Sequence, residues 1–398
     1  MKYQFANNIP ESNEDPVGNI LKVAGDPKII SFAGGLPAPE LFPVEDLKKV
    51  TNEVYDESGR EALQYSIAAG YPKLREQIAK RMNRSGIKCD IDNIMITTGS
   101  QQSIDLTTKL FVNPGDTVIV EQPTYLCALD VFRSYGAHMV GVPMDDDGMK
   151  MDALEQAVKD NPNTKFIYTV PSFQNPTGRT MTAARRQKMI EIANKYNIMI
   201  LEDDPYGAIR FAGKDVAPVK TFDHDGRVIY MSTFSKILAP GLRIGWIVAE
   251  KTLVKKFTLM KQTVDVHSDN LTQHIIAKYM AEYNIDDHIA KIRDVYRRRE
   301  GLMMDAIEKY FPKDARYSHP EGGLFIWVEV PGVDTQSLFN TCIDHDVAFV
   351  PGEPFYADKV IPGTFRLNYS NMQDDKIVTG IERLGNAIKE AIDKKVEV

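Results

Sequence analysis

The sequence predicts an α/β fold built on a mostly parallel sheet, with a smaller α+β unit attached. Three observations point there. Short apolar runs alternate with helix-like stretches, each run gives way abruptly to small or polar residues, and the length suits two packed units. At 398 residues the chain exceeds one ordinary core, taking about 150 residues per domain. Near-continuous apolar strands belong to a parallel sheet covered on both faces. In such sheets the ligand site forms beyond the carboxyl ends of the strands. The unusual polar residues of this chain fall there.

Residues 1–49 are rich in Pro, Gly and Asn and read as an arm with a short helix at Pro16 to Val23, partly belonging to the smaller unit. The large unit runs from Val50 to Ala290. Within it Ile94-Met95-Ile96 leads into Thr97-Thr98-Gly99-Ser100, and Thr117 to Val120 leads into Glu121-Gln122-Pro123-Thr124-Tyr125. Phe166 to Val170 leads into Pro171 and Asn175-Pro176-Thr177-Gly178. Ile198 to Leu201 leads into Glu202-Asp203-Asp204-Pro205-Tyr206, and Val228 to Met231 into Ser232-Thr233-Phe234-Ser235-Lys236. A charged helix, Asp287 to Tyr310, leads into residues 291–398, where Gly323 to Val330, Asp346 to Val350 and Thr364 to Tyr369 read as strands.

Composition narrows the classes. With 43% hydrophobic and 26% charged residues and a net charge of −7, the chain has no general attraction for nucleic acid or anionic membranes. Arg185-Arg186 and Arg297-Arg298-Arg299 read as solvated helix faces beside acidic neighbours. Cys89, Cys127 and Cys342 lack metal-ligand spacing and read as small buried hydrophobes in a reducing compartment. No signal peptide is visible, no apolar run approaches the roughly 20 residues that cross a bilayer, and the seven histidines form no metal cluster. A cytoplasmic enzyme without metal fits.

The strand-end residues carry chemistry. Lys236 follows an apolar strand beside hydroxyls, and a desolvated lysine near other cations has a lowered pKa and forms Schiff bases. Arg243 follows after Pro240-Gly241; with Thr233 and Ser235 it suits a phosphate lying between two cations. Ser100 and Gln101 open a helix whose first N–H groups would bind an anion, although Ser100 as a simple N-cap is the commoner use. Asp203 ends a buried strand, where an ionised carboxylate needs a partner such as a protonated ring nitrogen. Tyr206 and Asn175 are placed to donate to a phenolate-type oxygen, and Tyr125 offers either a core ring or one that stacks on a planar ligand. Arg366, in the apolar Phe365-Arg366-Leu367, requires an anion: a substrate carboxylate or a structural Asp or Glu.

Together these residues resemble the fold-type I aminotransferases of class I/II, in particular the subgroup of 2-aminoadipate, kynurenine and aromatic amino-acid aminotransferases. The resemblance runs from Ser31-Phe32-Ala33-Gly34-Gly35-Leu36-Pro37, through Gln64-Tyr65, Thr98-Gly99-Ser100-Gln101-Gln102, Pro171 to Gly178, Glu202 to Tyr206 and Ser235-Lys236 with Arg243, to Phe365-Arg366-Leu367-Asn368-Tyr369. It implies a large domain with a mostly parallel seven-stranded sheet, and pyridoxal 5′-phosphate (PLP) held as an imine by Lys236. Asp203 would bind the pyridine nitrogen, Asn175 and Tyr206 the 3′-oxygen, and Tyr125 would stack on the ring. Ser100, Gln101, Thr233, Ser235 and Arg243 would bind the phosphate, with Tyr65 reaching the phosphate of a neighbouring subunit in a homodimer. Arg366, Asn175 and the backbone at Gly35 would take the substrate α-carboxylate.

The implied reaction moves an amino group from an L-amino acid to a 2-oxo acid such as 2-oxoglutarate, with Lys236 as the base and ping-pong kinetics. Relatives acting on 2-aminoadipate carry an arginine in the short N-terminal helix. Aligned by Ile20-Leu21-Lys22, that position is Gly18 here, which favours aromatic or other uncharged side chains. Two rivals remain: a PLP-dependent lyase on the same fold, and an aminotransferase-like regulatory module, for whose DNA-binding domain the chain before Ser31 leaves no room.

Overall fold

A computed structural model of the chain describes residues 3–6, 8, 9, 18 and 26–396. The apolar runs assemble into one sheet. Its strands are β1 (Ile94–Thr97), β2 (Thr117–Gln122), β3 (His138–Asp145), β4 (Gly148–Met149), β5 (Thr164–Thr169), β6 (Met199–Asp203), β7 (Val228–Thr233) and β8 (Gly245–Val248). They lie in the order β1-β8-β7-β6-β5-β2-β3-β4. The block from β7 to β3 is parallel. β8 runs antiparallel to both β7 and β1, and the two-residue β4 turns back on β3 as an eighth strand at the edge.

Alternate residues of these strands feed two separate cores. Val118, Val120, Phe166, Tyr168 and Leu201 face one side, while Ile119, Ile167 and Ile200 face the other, as the two-residue period of a strand requires. All eight are inaccessible to solvent; each buried aliphatic side chain contributes ~1.5–3 kcal/mol. Burial on both faces is why these strands read as continuous apolar runs. The sequence pattern missed β3 and β8. β3 contains Gly141 and Pro143 and is exposed at several positions, and β8 is a four-residue strand.

The smaller sheet joins Arg316–Tyr317, Phe325–Glu329, Thr364–Asn368 and Val350–Pro351, all antiparallel. The single strand expected over Asp346 to Val350 is two strands. Val347–Ala348 pairs in parallel with Ile30–Ser31, and Val350–Pro351 pairs with Thr364–Asn368. Between them Phe349 packs against Phe339 and Phe365, so the chain changes sheets at that anchored ring. The charged helix spans Ile285–Tyr310, starts at an Asn284 cap whose side chain accepts from the Asp286 N–H, and continues unbroken past Ala290. The helix expected at Pro16 to Val23 lies outside the described residues apart from Gly18, which is helical. Among the described residues no helix is long and apolar enough to cross a membrane.

Each basic run has a buried member, which corrects the reading of both as solvated faces. Arg186 is inaccessible. Its Nε donates to Met181 O (3.0 Å), Nη1 to Ala217 O (3.1 Å), and Nη2 to Pro171 O (2.8 Å) and Ser172 Oγ (3.0 Å). Arg299 donates to Ser370 O at 2.6 Å and pairs with Glu40 and Asp374. Adjacent helical residues point about 100° apart, so neighbouring charges share no face. Because Arg186 braces the Pro171-Ser172 turn, Arg186→Met is expected to cost about 2–4 kcal/mol by orphaning buried carbonyls. Urea unfolding measures this, and a loss under about 1 kcal/mol would contradict the bracing role.

Candidate active site

Five parallel-running strands, β1, β2, β5, β6 and β7, end on one side of the sheet, and the turns that follow enclose a cavity of about 260 Å³. Ser100, Gln101, Tyr125, Asn175, Asp203, Tyr206, Thr233, Ser235, Lys236 and Arg243 line it from the large sheet. Gly35 and Arg366 close it from the smaller unit. Of the site residues expected from the sequence, only Tyr65 is not among those brought together here.

Asp203 ends β6 almost fully buried. Its Oδ2 accepts from the Tyr168 hydroxyl at 2.8 Å, while Oδ1 is buried without a donor. Burial above all pushes its carboxyl up to about 7, the Tyr168 hydrogen bond opposing the rise and the nearby carboxylates Asp204 and Glu121 adding to it. A buried carboxylate oxygen lacking a donor is costly, and a protonated heterocyclic nitrogen would supply one.

Lys236 leaves β7 through the Phe234-Ser235 turn and donates to Gly35 O at 2.7 Å. Burial, with the Arg366 and Arg243 guanidiniums beside it, pulls its amine down to about 8, against the partial opposition of Asp203. Arg366 is likewise buried and faces no carboxylate. It donates to Asn175 Oδ1 and Ala33 O at 2.8 Å each, its Nε has no partner, and its guanidinium lies 4.2 Å from the Phe325 ring centroid. Burial draws it down to about 10. A structural ion pair, one of the two readings open from the sequence, is therefore not what Arg366 makes among the described residues. Since Asn175 spends its carbonyl on Arg366, its amide N–H group remains the donor. Tyr206, edge-on to Phe325, has its hydroxyl pushed upward by burial and keeps its proton.

The opposite end of the cavity gathers a helix start and a guanidinium, a donor set that suits an anion. Gly99 caps the helix Ser100–Phe111 at φ +75°, so Ser100 is the first helical residue and not the N-cap. The first N–H groups of a helix have no partner within it and carry the positive end of its dipole. The Arg243 guanidinium lies over Gly99 so closely that a Cβ there would meet Nη2 at 2.5 Å. Gly245 of β8 allows the backbone of Gly99 and Ser100 to approach, since a Cβ there would meet Gly99 C and Ser100 N at 2.8 Å. Thr233 Oγ1 contacts Ser235 Oγ (2.9 Å) and Ile244 O (3.1 Å), bracing the turn that presents Ser235. Tyr125 donates to Gln101 Oε1 at 3.3 Å.

Tyr65 is 83% exposed, its ring edge-on to His267. Sequence reasoning missed Tyr168, a polar tip within an apolar strand whose hydroxyl role depends on cross-strand register, and the cavity-lining Phe325 and Cys127. It also missed buried Glu121, which accepts from Thr169 Oγ1, the Val170 N–H and Gln174 Nε2, while Gln174 Nε2 also reaches Pro123 O. This network ties the turn before Tyr125 to the turn that holds Asn175. Its signal was a carboxylate directly after the apolar run Val118-Ile119-Val120, within the strand. Among the described residues no group of His, Cys, Asp or Glu side chains is set to hold a metal ion.

The family Aminotransferase class I and II matches residues 28–384. The chain is 43% identical over 384 residues to aromatic-amino-acid aminotransferase 1 of Thermococcus litoralis, covering 95% of this chain and 92% of that one. It is 36% identical over 377 residues to the 2-aminoadipate transaminase of Thermus thermophilus, covering 94% and 93%. The crystal structure of Pyrococcus horikoshii kynurenine aminotransferase, in complex with PMP, superposes with a TM-score of 0.93 at 42% identity over 97% of each chain.

A lysine drawn down to about 8 is half neutral there, whereas an ordinary one stays charged to ~10.4. In the cofactor-free protein, acetylation of Lys236 followed by mass spectrometry is expected to rise with a midpoint near pH 8. A midpoint at the ordinary lysine value would mean that the amine is solvated.

Proposed function

Because the chain belongs to the class I and II aminotransferases, PLP-dependent enzymes that exchange amino groups between amino acids and 2-oxo acids, we propose that Lys236 anchors the cofactor and that the preferred donor has an aromatic or other uncharged side chain. The observation that carries the assignment is a pair of buried charges, each with an orphaned atom, lining one cavity with Lys236: Asp203 Oδ1 and Arg366 Nε. Asp203 Oδ1 would hold the pyridine nitrogen, Asn175 Nδ2 and the Tyr206 hydroxyl the 3′-oxygen, and Tyr125 the ring face. The helix start at Ser100 and Gln101, with Ser235, Thr233 and Arg243, would hold the phosphate. PLP, when bound, supplies an aldehyde that condenses with amines and a cationic ring that accepts electrons released at the α-carbon.

The remaining tasks belong to this chain's own groups. Arg366 binds the substrate α-carboxylate with two parallel N–H bonds, and Asn175 and the Gly35 backbone fix its orientation. That anchor turns the α-hydrogen toward Lys236, whose Nζ, with its pKa near 8, takes the proton near neutral pH and returns it. Release of the first 2-oxo acid before the second binds gives ping-pong kinetics.

Substrate preference follows from charge bookkeeping in the cavity. Among the described residues the cations lining it are Lys236, Arg243 and Arg366, each already given a task, which supports a donor without a side-chain carboxylate. Leu126, Val170, Phe325 and Val350 supply apolar wall, with 2-aminoadipate as the slower donor. We place the enzyme in the cytoplasm, supported by its three unpaired cysteines, as a homodimer. Support for the dimer is an exposed apolar set, Leu63, Tyr65, Ile67, Val264 and Val266, of the kind that marks an interface. In it Tyr65 reaches the partner's phosphate seat.

Adding L-phenylalanine to the PLP-loaded protein without acceptor is expected to bleach its visible absorbance, and 2-oxoglutarate to restore it. A spectrum unmoved by phenylalanine but moved by 2-aminoadipate would refute the side-chain preference. Lys236→Ala is expected to abolish turnover. Arg366→Gln is expected to lower kcat/KM for the amino acid about 100-fold or more, as loss of a buried charge-assisted pair does; steady-state kinetics check both, and an unchanged kcat/KM would remove Arg366 from carboxylate binding.

A further inference from the structure

Behind the anion seat lies an ion pair that touches no part of the cavity. Lys261, in the last turn of the helix Lys251–Gln262, has a fully buried side chain. Its ammonium donates to Gln102 Oε1 (2.7 Å), Asp265 Oδ1 (2.9 Å) and Oδ2 (2.8 Å), and Ser268 Oγ (2.9 Å). Asp265 Oδ2 in turn accepts from Gln102 Nε2 (2.7 Å) and Thr98 Oγ1 (3.1 Å). Gln102 Oε1 also receives the Thr98 backbone N–H at 2.8 Å. The Gln102 oxygen and both Asp265 oxygens are thus all accepting hydrogen bonds.

The network sets the orientation of one amide. With Lys261 and the Thr98 N–H both donating, the Gln102 oxygen must face them, and its NH₂ must face Asp265. Turned over, it would set NH₂ against an ammonium and an N–H. Held this way, Gln102 grips the chain at Thr98 and at its own backbone, the two flanks of Gly99-Ser100-Gln101. Gly99, at φ +75°, has no side chain with which to hold itself. An ion pair that buries its lysine is a weak source of stability compared with apolar packing of the same size, so its use here calls for another reason.

We propose that Lys261 and Asp265 are positioning residues for the phosphate end of the site, locking Gln102 so that the Ser100 and Gln101 N–H groups converge on one point. The inference rests on the reading of that turn as the phosphate seat. It assigns the pair no contact with the cofactor and no part in proton transfer.

The test titrates cofactor-free protein separately with PLP and with pyridoxal, which lacks the phosphate, following the visible absorbance of the bound aldehyde. Lys261→Met is expected to weaken PLP about tenfold or more, as loss of a charge-assisted hydrogen bond does, and to leave pyridoxal within about twofold. The double variant Lys261→Met/Asp265→Leu removes both charges, so it leaves no buried ion unpaired, and is expected to show the same selective loss with its melting temperature retained. Equal weakening of both ligands, no weakening of either, or loss of the fold in both variants would overturn the proposal. Wild-type protein that binds PLP no tighter than pyridoxal would refute the phosphate seat itself, and the inference with it.

Discussion

Asp203 sits at the dry end of a sheet buried on both faces, and one of its oxygens has no donor. Among the described residues, cations that could have paired with that oxygen do not. Lys236 is held by Gly35 O, and Arg366 by Ala33 O and Asn175 Oδ1. Each cation is held by neutral carbonyls, with Arg366 Nε left over, so the charges stay unspent and separate. On the proposed roles, a carboxylate that closed on Lys236 would keep the amine protonated and take from the ring nitrogen its partner. Keeping these charges apart in a low-dielectric cavity is the electrostatic preorganisation that catalysis by polar groups requires.

The carbonyls that keep them apart come from a distant part of the chain. The segment around Ala33 to Leu36 carries no regular structure at the site, but it is pinned at both ends. Ile30–Ser31 pairs with Val347–Ala348, Asn368 N–H donates to Phe32 O, Ser370 Oγ donates to Leu36 O at 2.7 Å, and Ala38 N–H donates to the Tyr296 hydroxyl at 3.0 Å. The smaller unit thus holds Arg366 and also the strap that meets Lys236. The two ends of the cavity are built by different means: side-chain charges balanced by carbonyls at one, and backbone N–H groups at a helix start, reached through Gly99 and Gly245, at the other.

Much of this was legible in the sequence because the informative residues break a simple rule where they stand. Asp203 ends one apolar strand, and Lys236 and Asn175 stand in the turns after two others, at points where an apolar or turn residue would suffice. Burial of a charge is costly, and such a breach needs a ligand or a partner to explain it. The five strands that end at the cavity were legible for a related reason, since burial on both faces removes the polar alternation that would mark an exposed sheet. β3, partly exposed and interrupted by Gly141 and Pro143, gave no such signal.

What the sequence by itself determined is therefore local: which strands are buried, which polar groups stand at their ends, and which helix starts just after a glycine turn. Only the tertiary structure decided which of those groups meet. Adjacent arginines gave no hint that Arg186 is buried and Arg185 is not, because that depends on the face a helix presents to its neighbours. The Tyr168–Asp203 contact depends on the register of two strands, and the Lys261–Asp265–Gln102 network on a loop folding back across more than one hundred and fifty residues of chain. Period and composition act along the chain over a few residues. Contact between distant residues is fixed by packing in three dimensions, which no local pattern encodes.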